Sequence, residues 1–85
     1  MSSDLVAEVR EVLNDSARLP IDAFTLAERS DLFVAGMSSQ ASVNVMLALE
    51  DRFGVEFPDE MLTREVFESI AALAEAVGEL RARPG

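Results

Sequence analysis

The chain has no cysteine, no histidine, no lysine, no tryptophan and no tyrosine. Each absence removes chemistry. Without His or Cys there is no imidazole acid–base group, no thiol nucleophile and no zinc site of the usual ligand types. A serine alone is inert, because no nucleophile, base and orienting group can be assembled from what remains; the chain is expected not to be an enzyme. Positive charge is scarce: seven arginines stand against sixteen acidic residues, for a net charge of −9. Nucleic acid is therefore an unfavourable partner, since phosphate contacts need clustered Lys and Arg, and an anionic membrane surface is equally unfavourable. No apolar run approaches the ~18 residues of a membrane-spanning helix. The opening Met1-Ser2-Ser3-Asp4 lacks the basic and apolar regions of a signal peptide. With no disulfide to form, these features point to the cytoplasm.

What is present is an 85-residue chain that is 49% hydrophobic. That length fits one domain, residues 1–85, with an ordered core over about residues 4–80. A domain this size buries about 60–65% of its unfolded surface. It has little room for a deep catalytic pocket, and a surface read by other proteins is easier to build. Leu5, Val6, Val9, Val12 and Leu13 recur at helical spacing, predicting a first helix over Asp4–Asn14, with Ser2, Ser3 or Asp4 as its cap. Pro20 breaks any helix in the long connection that follows, roughly Asp15 to Met37. Ile21, Phe24, Leu26, Leu32, Phe33 and Val34 must pin that connection to the core, with a short turn near Leu26–Arg29. A second helix spans Ser39–Phe53 and stops at Gly54. Asp59 and Glu60 start a short helical turn through Met61 and Leu62. A last helix begins near Ser69, carries the stripe Ile70, Leu73, Ala74, Val77 and Leu80, is weakened by Gly78, and gives way to a frayed Pro84-Gly85 tail. Nothing alternates as a strand. The class is all-α, a bundle of three long helices and one short one with a long first loop.

The second helix shows two apolar faces. At about 100° per residue, Val45, Met46, Leu49 and Phe53 share one sector, sufficient for a core stripe. Val43 and Leu47 lie elsewhere, in a column above Ser39 at i, i+4 and i+8. Asn44 and Asp51 flank that column, and Glu50 lies between the faces. The second face either packs under the long connection, where Phe33 or Val34 could cover Leu47, or forms an apolar recognition patch rimmed by acids. Ser39 also admits two readings. Free N–H groups and the dipole at a helix start favour a phosphate there, yet Ser38 or Ser39 can equally be a plain N-cap.

Gly36-Met37-Ser38-Ser39, followed by Leu47-Ala48-Leu49-Glu50-Asp51-Arg52-Phe53-Gly54-Val55-Glu56-Phe57-Pro58-Asp59-Glu60, resembles the acyl carrier protein family. That family has a G-x-D-S-L motif, then an amphipathic helix ending in L-E-x-x-F-x-[IV]-x-[IFL]-P-D-E. The Ser39–Phe53 interval matches without a gap, and Phe67-Glu68-Ser69-Ile70-Ala71-Ala72-Leu73 looks like the start of the family's last helix. The resemblance implies a four-helix acyl-carrier-like bundle. It also implies a 4'-phosphopantetheine arm, derived from coenzyme A, joined to Ser39 as a phosphodiester, with an acyl or aminoacyl group held on its thiol as a thioester. Such an arm supplies the thiol that a cysteine-free chain lacks. Gln40, Val43, Asn44, Leu47, Glu50 and Asp51 fall where the family meets partner enzymes. The implied partners are a phosphopantetheinyl transferase, a ligase that loads the acyl or aminoacyl group, and a downstream acyltransferase or synthase, serving a monomeric carrier.

The departures from the motif are informative. Ser38 replaces the Asp before the modified serine, Gln40 replaces the Leu after it, and Asn44 stands where fatty-acid carriers usually have Glu. The Gly36-to-Glu50 run looks more like small stand-alone carriers charged with an amino acid by a truncated relative of an aminoacyl-tRNA synthetase. The alternatives are an acyl carrier for fatty-acid or polyketide synthesis, and an unmodified acidic interaction module. Glu56, Asp59 and Glu60 make an acidic surface without the D-x-D-x-D-G pattern of a calcium loop, so no metal site is expected. Met37 reads as a soft contact residue and Met46 as core. Arg64, Arg81 and Arg83 read as a solvated basic face.

Overall fold

The structure, a computed structural model, describes residues 2–82, with side chains from Asp4 onward. Among these residues there are four α-helices and no strand: α1 (Ser2–Ser16), α2 (Ser39–Phe53), α3 (Arg64–Phe67) and α4 (Ile70–Ala82). One-turn 3₁₀ helices lie at Ala23–Thr25 and Asp59–Met61. α1 starts before the expected Asp4, which sits within the first turn and favours the positive end of the dipole rather than capping it. A capping role for the Ser2 or Ser3 side chain lies outside the described residues, as do Arg83 and the Pro84-Gly85 tail. The short helix is α3, not the Asp59–Leu62 segment, where only a 3₁₀ turn forms. Thr63 nucleates α3 by accepting at Oγ1 from the Val66 N–H at 3.3 Å. Likewise Ser69 caps α4, its Oγ accepting from the Ala72 N–H at 3.0 Å.

α1 packs on both α2 and α4, and α3 packs on α4. Val9, Val12 and Leu13 of α1, Val45 and Leu49 of α2, and Ile70, Leu73, Val77 and Leu80 of α4 are buried together. Gly78 lies inside α4 facing α1, and a Cβ there would stand 3.5 Å from Leu5 Cδ2, an ordinary van der Waals contact. The packing of α1 on α4 therefore does not demand glycine there, and Gly78 weakens α4 through its poor helix propensity.

The long connection is held at both edges, mostly by polar contacts. Arg10 donates from Nη1 to the Ala23 and Leu26 carbonyls, at 2.6 Å each. Asn14 accepts from the Ala23 N–H at 2.8 Å and donates to Asp22 at 2.9 Å. On the far side the Leu32 N–H donates to the Glu68 carbonyl at 2.7 Å, and the Ala71 N–H to the Glu28 carbonyl at 2.8 Å. Leu32 is fully buried and anchors the stretch. The expected turn near Leu26–Arg29 is present, closed by the Ser30 N–H donating to the Ala27 carbonyl at 3.1 Å, and a further turn precedes it at Ala23–Thr25, where Asp22 caps through the Phe24 N–H at 2.9 Å.

Gly36 is the point where this connection turns into α2. Its φ is +123°, and a Cβ there would stand 2.8 Å from Pro20 Cδ. Gly36→Ala is therefore expected to destabilise the fold by about 1–3 kcal/mol, the ordinary cost of holding a side-chain-bearing residue in such backbone. Urea unfolding of the two proteins measures it, and an unchanged midpoint would contradict the strain argument.

Candidate functional site at the start of α2

The site is built by the turn that precedes α2. Asp31 Oδ1 accepts from the Phe33 N–H at 2.8 Å and the Val34 N–H at 3.2 Å. The Ala35 N–H then donates to the Asp31 carbonyl at 3.0 Å, and the Met37 N–H to the Leu32 carbonyl at 3.0 Å. This closed turn sends Met37 into the core, where it is 2% exposed. Met37 is therefore a core residue, not the contact residue expected, and its burial fixes the next two residues outside. The Asp31 carboxyl is held below its ordinary pKa, first by the Val34 N–H, then by the Phe33 N–H and the Arg64 guanidinium, against an opposing desolvation effect.

The two serines separate into two roles. Ser38 is the N-cap, in extended backbone, with Oγ accepting from the Ala41 N–H at 3.0 Å. Ser39 is the first helical residue and is exposed. Capping by Ser38 leaves the Ser39 hydroxyl available at a helix end whose first N–H groups lack intrahelical acceptors. One turn on, Ser42 donates to the Ser39 carbonyl at 2.5 Å.

Beside Ser39 opens a cleft of about 360 Å³ between α2 and α3. Ser39, Ser42, Val43 and Met46 form one wall, Leu62, Thr63, Arg64 and Phe67 the other, and Phe33 joins them at the loop side. Met46 is only half-buried and lines this cleft, where the periodicity placed it in the core stripe. Phe53 is likewise half-buried, so Val45 and Leu49 carry the fully buried contacts of α2.

The second face of α2 is open. Val43 is 50% and Leu47 53% exposed. Gln40, Asn44 and Asp51 are exposed beside them. The long connection does not cover Leu47: Val34 points to solvent at 82% exposure, and Phe33 lies under the Arg64 guanidinium, 4.5 Å from ring centroid to Cζ. Glu50 lies between the two faces, as its place in the helix indicates. It is half-buried, and its Oε2 accepts from the Phe57 N–H at 2.8 Å, tying the Gly54–Pro58 return to α2. Arg64 and Arg81 are not simply solvated either. Arg64 pairs with Asp31 at 3.3 Å, and Arg81 sits 5.6 Å from the Phe53 ring centroid. No described helix is long and apolar enough to cross a membrane.

Comparison with known proteins fits this geometry. The family model described as the phosphopantetheine attachment site matches residues 3–77. The chain is 45% identical over 71 residues to an aminoacyl carrier protein of Agrobacterium fabrum, a match covering 84% of this chain and 86% of the relative. It superposes with a TM-score of 0.85 and 43% identity on a chain in the crystal structure of an engineered Bradyrhizobium japonicum glycine:[carrier protein] ligase complexed with a carrier protein from Agrobacterium tumefaciens and ATP, covering 88% of this chain and 97% of the other. A solution structure from Agrobacterium tumefaciens aligns with a TM-score of 0.70 and 43% identity, covering 87% of this chain and 89% of that one. The chain thus belongs to the phosphopantetheine attachment family. It is a carrier protein with the family's helical bundle, and its cofactor is the 4'-phosphopantetheine arm.

The two apolar faces of α2 predict opposite mutational outcomes. Leu49→Ala should cost about 2–5 kcal/mol, a typical loss for emptying a buried leucine site. Leu47→Ala should stay within about 0.5 kcal/mol of wild type. Thermal melts of both variants decide this, and a Leu47→Ala melting temperature lowered as far as that of Leu49→Ala would place Leu47 in the core.

Proposed function

We propose that Ser39 carries the arm and that the chain presents an aminoacyl thioester to partner enzymes, with loading by an aminoacyl:carrier protein ligase. The observation that supports this best is the split between the two serines. Ser38 spends its hydroxyl on the cap, while Ser39 stands exposed at the mouth of the cleft. The Ser39 hydroxyl is the group a phosphopantetheinyl transferase would join to the phosphate end of coenzyme A. The arm supplies a thiol, which is the chemistry needed to hold an acyl group in activated form. The chain's own part is to fix the attachment point at a rigid helix start, to offer free N–H groups where the phosphate lies, and to offer a docking face. The amino acid cargo rests on the aminoacyl carrier relative and on the glycine ligase complex. The departures at Ser38, Gln40 and Asn44 support it over fatty-acid or polyketide cargo. A downstream acyltransferase or synthase completes the set of partners.

Docking would use Val43 and Leu47 as apolar contacts, with Gln40, Asn44 and Asp51 around them. Glu50 contributes charge at the margin while its Oε2 stays engaged with Phe57. A net charge of −9 steers a basic partner mainly through association rate, over a screening distance of roughly 8–10 Å at ordinary ionic strength.

Ser39→Ala should abolish addition of the arm while leaving the melting curve unchanged, because Ser39 is not the cap. Ser38→Ala should still accept the arm yet lose about 0.5–2 kcal/mol of stability. Intact-mass and peptide-level mass spectrometry after incubation with coenzyme A and a phosphopantetheinyl transferase check both. An arm found on Ser38 or Ser42 would show the register to be wrong. For docking, Leu47→Ala in the holo-protein should weaken loading by about 1–2 kcal/mol, a loss typical of a modest interface anchor. Ligase kinetics indistinguishable from wild type would remove Leu47 from the docking face.

A further inference from the structure

The cleft beside Ser39 carries a cation in an acidic chain. Its nine lining residues include no carboxylate and a single cation, Arg64, in a protein of net charge −9. Arg64 sits across the cleft from Ser39, in the first position of α3. Its guanidinium is placed by two weak contacts. Its Cζ stands over the ring of Phe33, 4.5 Å from the centroid, and one nitrogen, Nη2, reaches Asp31 Oδ2 at 3.3 Å. Guanidinium has five N–H donors, so most remain to be used, and the side chain is 59% exposed. Asp31 in turn has its other oxygen engaged by the Phe33 and Val34 N–H groups. Exposed single-contact pairs of this kind are weak, so Asp31 holds Arg64 in position without consuming it.

A phosphodiester formed on Ser39 is a fixed anion at the edge of this cleft. The chain as a whole is strongly acidic, with a net charge of −9. Arg–phosphate pairing is bidentate and among the stronger charge-assisted contacts. We propose that Arg64 is a positioning residue for the arm. It binds the phosphodiester on Ser39 from across the cleft and so fixes the direction in which the arm leaves α2, toward α3. This rests on the reading that Ser39 is the attachment point. Phe33 and Asp31 act through Arg64: the ring presents the guanidinium plane to the cleft, and the carboxylate limits its swing.

The test compares apo- and holo-protein labelled with ¹⁵N. Intact mass first establishes that the arm is present, and a wild type that takes up no arm overturns the carrier reading and this one together. In the loaded wild type the Arg64 Nε–Hε cross-peak should shift relative to apo, and the ³¹P resonance should differ between wild type and Arg64→Gln. Arg64→Lys should restore part of the ³¹P difference, because charge returns without the planar fork. Asp31→Asn, which keeps an acceptor for the Phe33 and Val34 N–H groups, should preserve or enlarge the Nε–Hε shift, because it releases Arg64 from its competitor. Arg64 Nε–Hε signals that coincide in apo- and holo-protein, with the arm confirmed on Ser39, overturn this assignment alone. So does a ³¹P resonance unchanged by Arg64→Gln. The apo–holo comparison in the wild type needs no variant to fold.

Discussion

Everything at the functional end of this protein depends on how α2 is held. Val45 and Leu49 are fully buried against α1 and α4, and a helix fixed by those two residues has no freedom left to rotate. Its register then places Ser39, Val43 and Leu47 in one outward column. The core and the proposed docking face are thus one constraint. Burying the first stripe exposes the second, and a rotation that hid Leu47 would pull Leu49 out of the core.

The turn before α2 acts in the same sense on the attachment point. Burial of Met37 and the positive φ of Gly36 deliver the chain to the helix at a set angle. Ser38 then caps the helix end, which leaves the Ser39 hydroxyl exposed. Asp31 contributes twice, by closing the turn through two backbone N–H groups and by holding Arg64 over the cleft. The chain has no His, Cys or Lys, and the start of α2 holds an exposed serine hydroxyl beside an open cleft.

The elements with strong helical period were legible in the sequence. The bounds of α2 and its Gly54 stop coincide with those observed, and every residue of the predicted α4 stripe is buried. Less legible was whatever depends on contacts between distant segments. Periodicity could not show that Glu50 turns to the Phe57 N–H, because that partner lies seven residues on, in an irregular return. Met37 was missed as core because the turn at Gly36 is a tertiary feature, and Met46, which packs against the core as its spacing indicated, also lines the cleft between α2 and α3. The four-residue α3 is too short for any period. The signal that could have located it was Thr63 as a cap ahead of Arg64-Glu65. Arg64 itself was read as solvated, since neither its place across from Ser39 nor its contact with Phe33 leaves a trace in local sequence.

The central claim, that this chain carries an amino acid as a thioester on its arm, is tested most directly by loading. Holo-protein incubated with ATP, an aminoacyl:carrier protein ligase and a mixture of amino acids should gain the mass of one aminoacyl group, and neutral hydroxylamine should remove it. Apo-protein should gain nothing. An aminoacyl group that appears equally on apo-protein, or that resists hydroxylamine, would contradict the account.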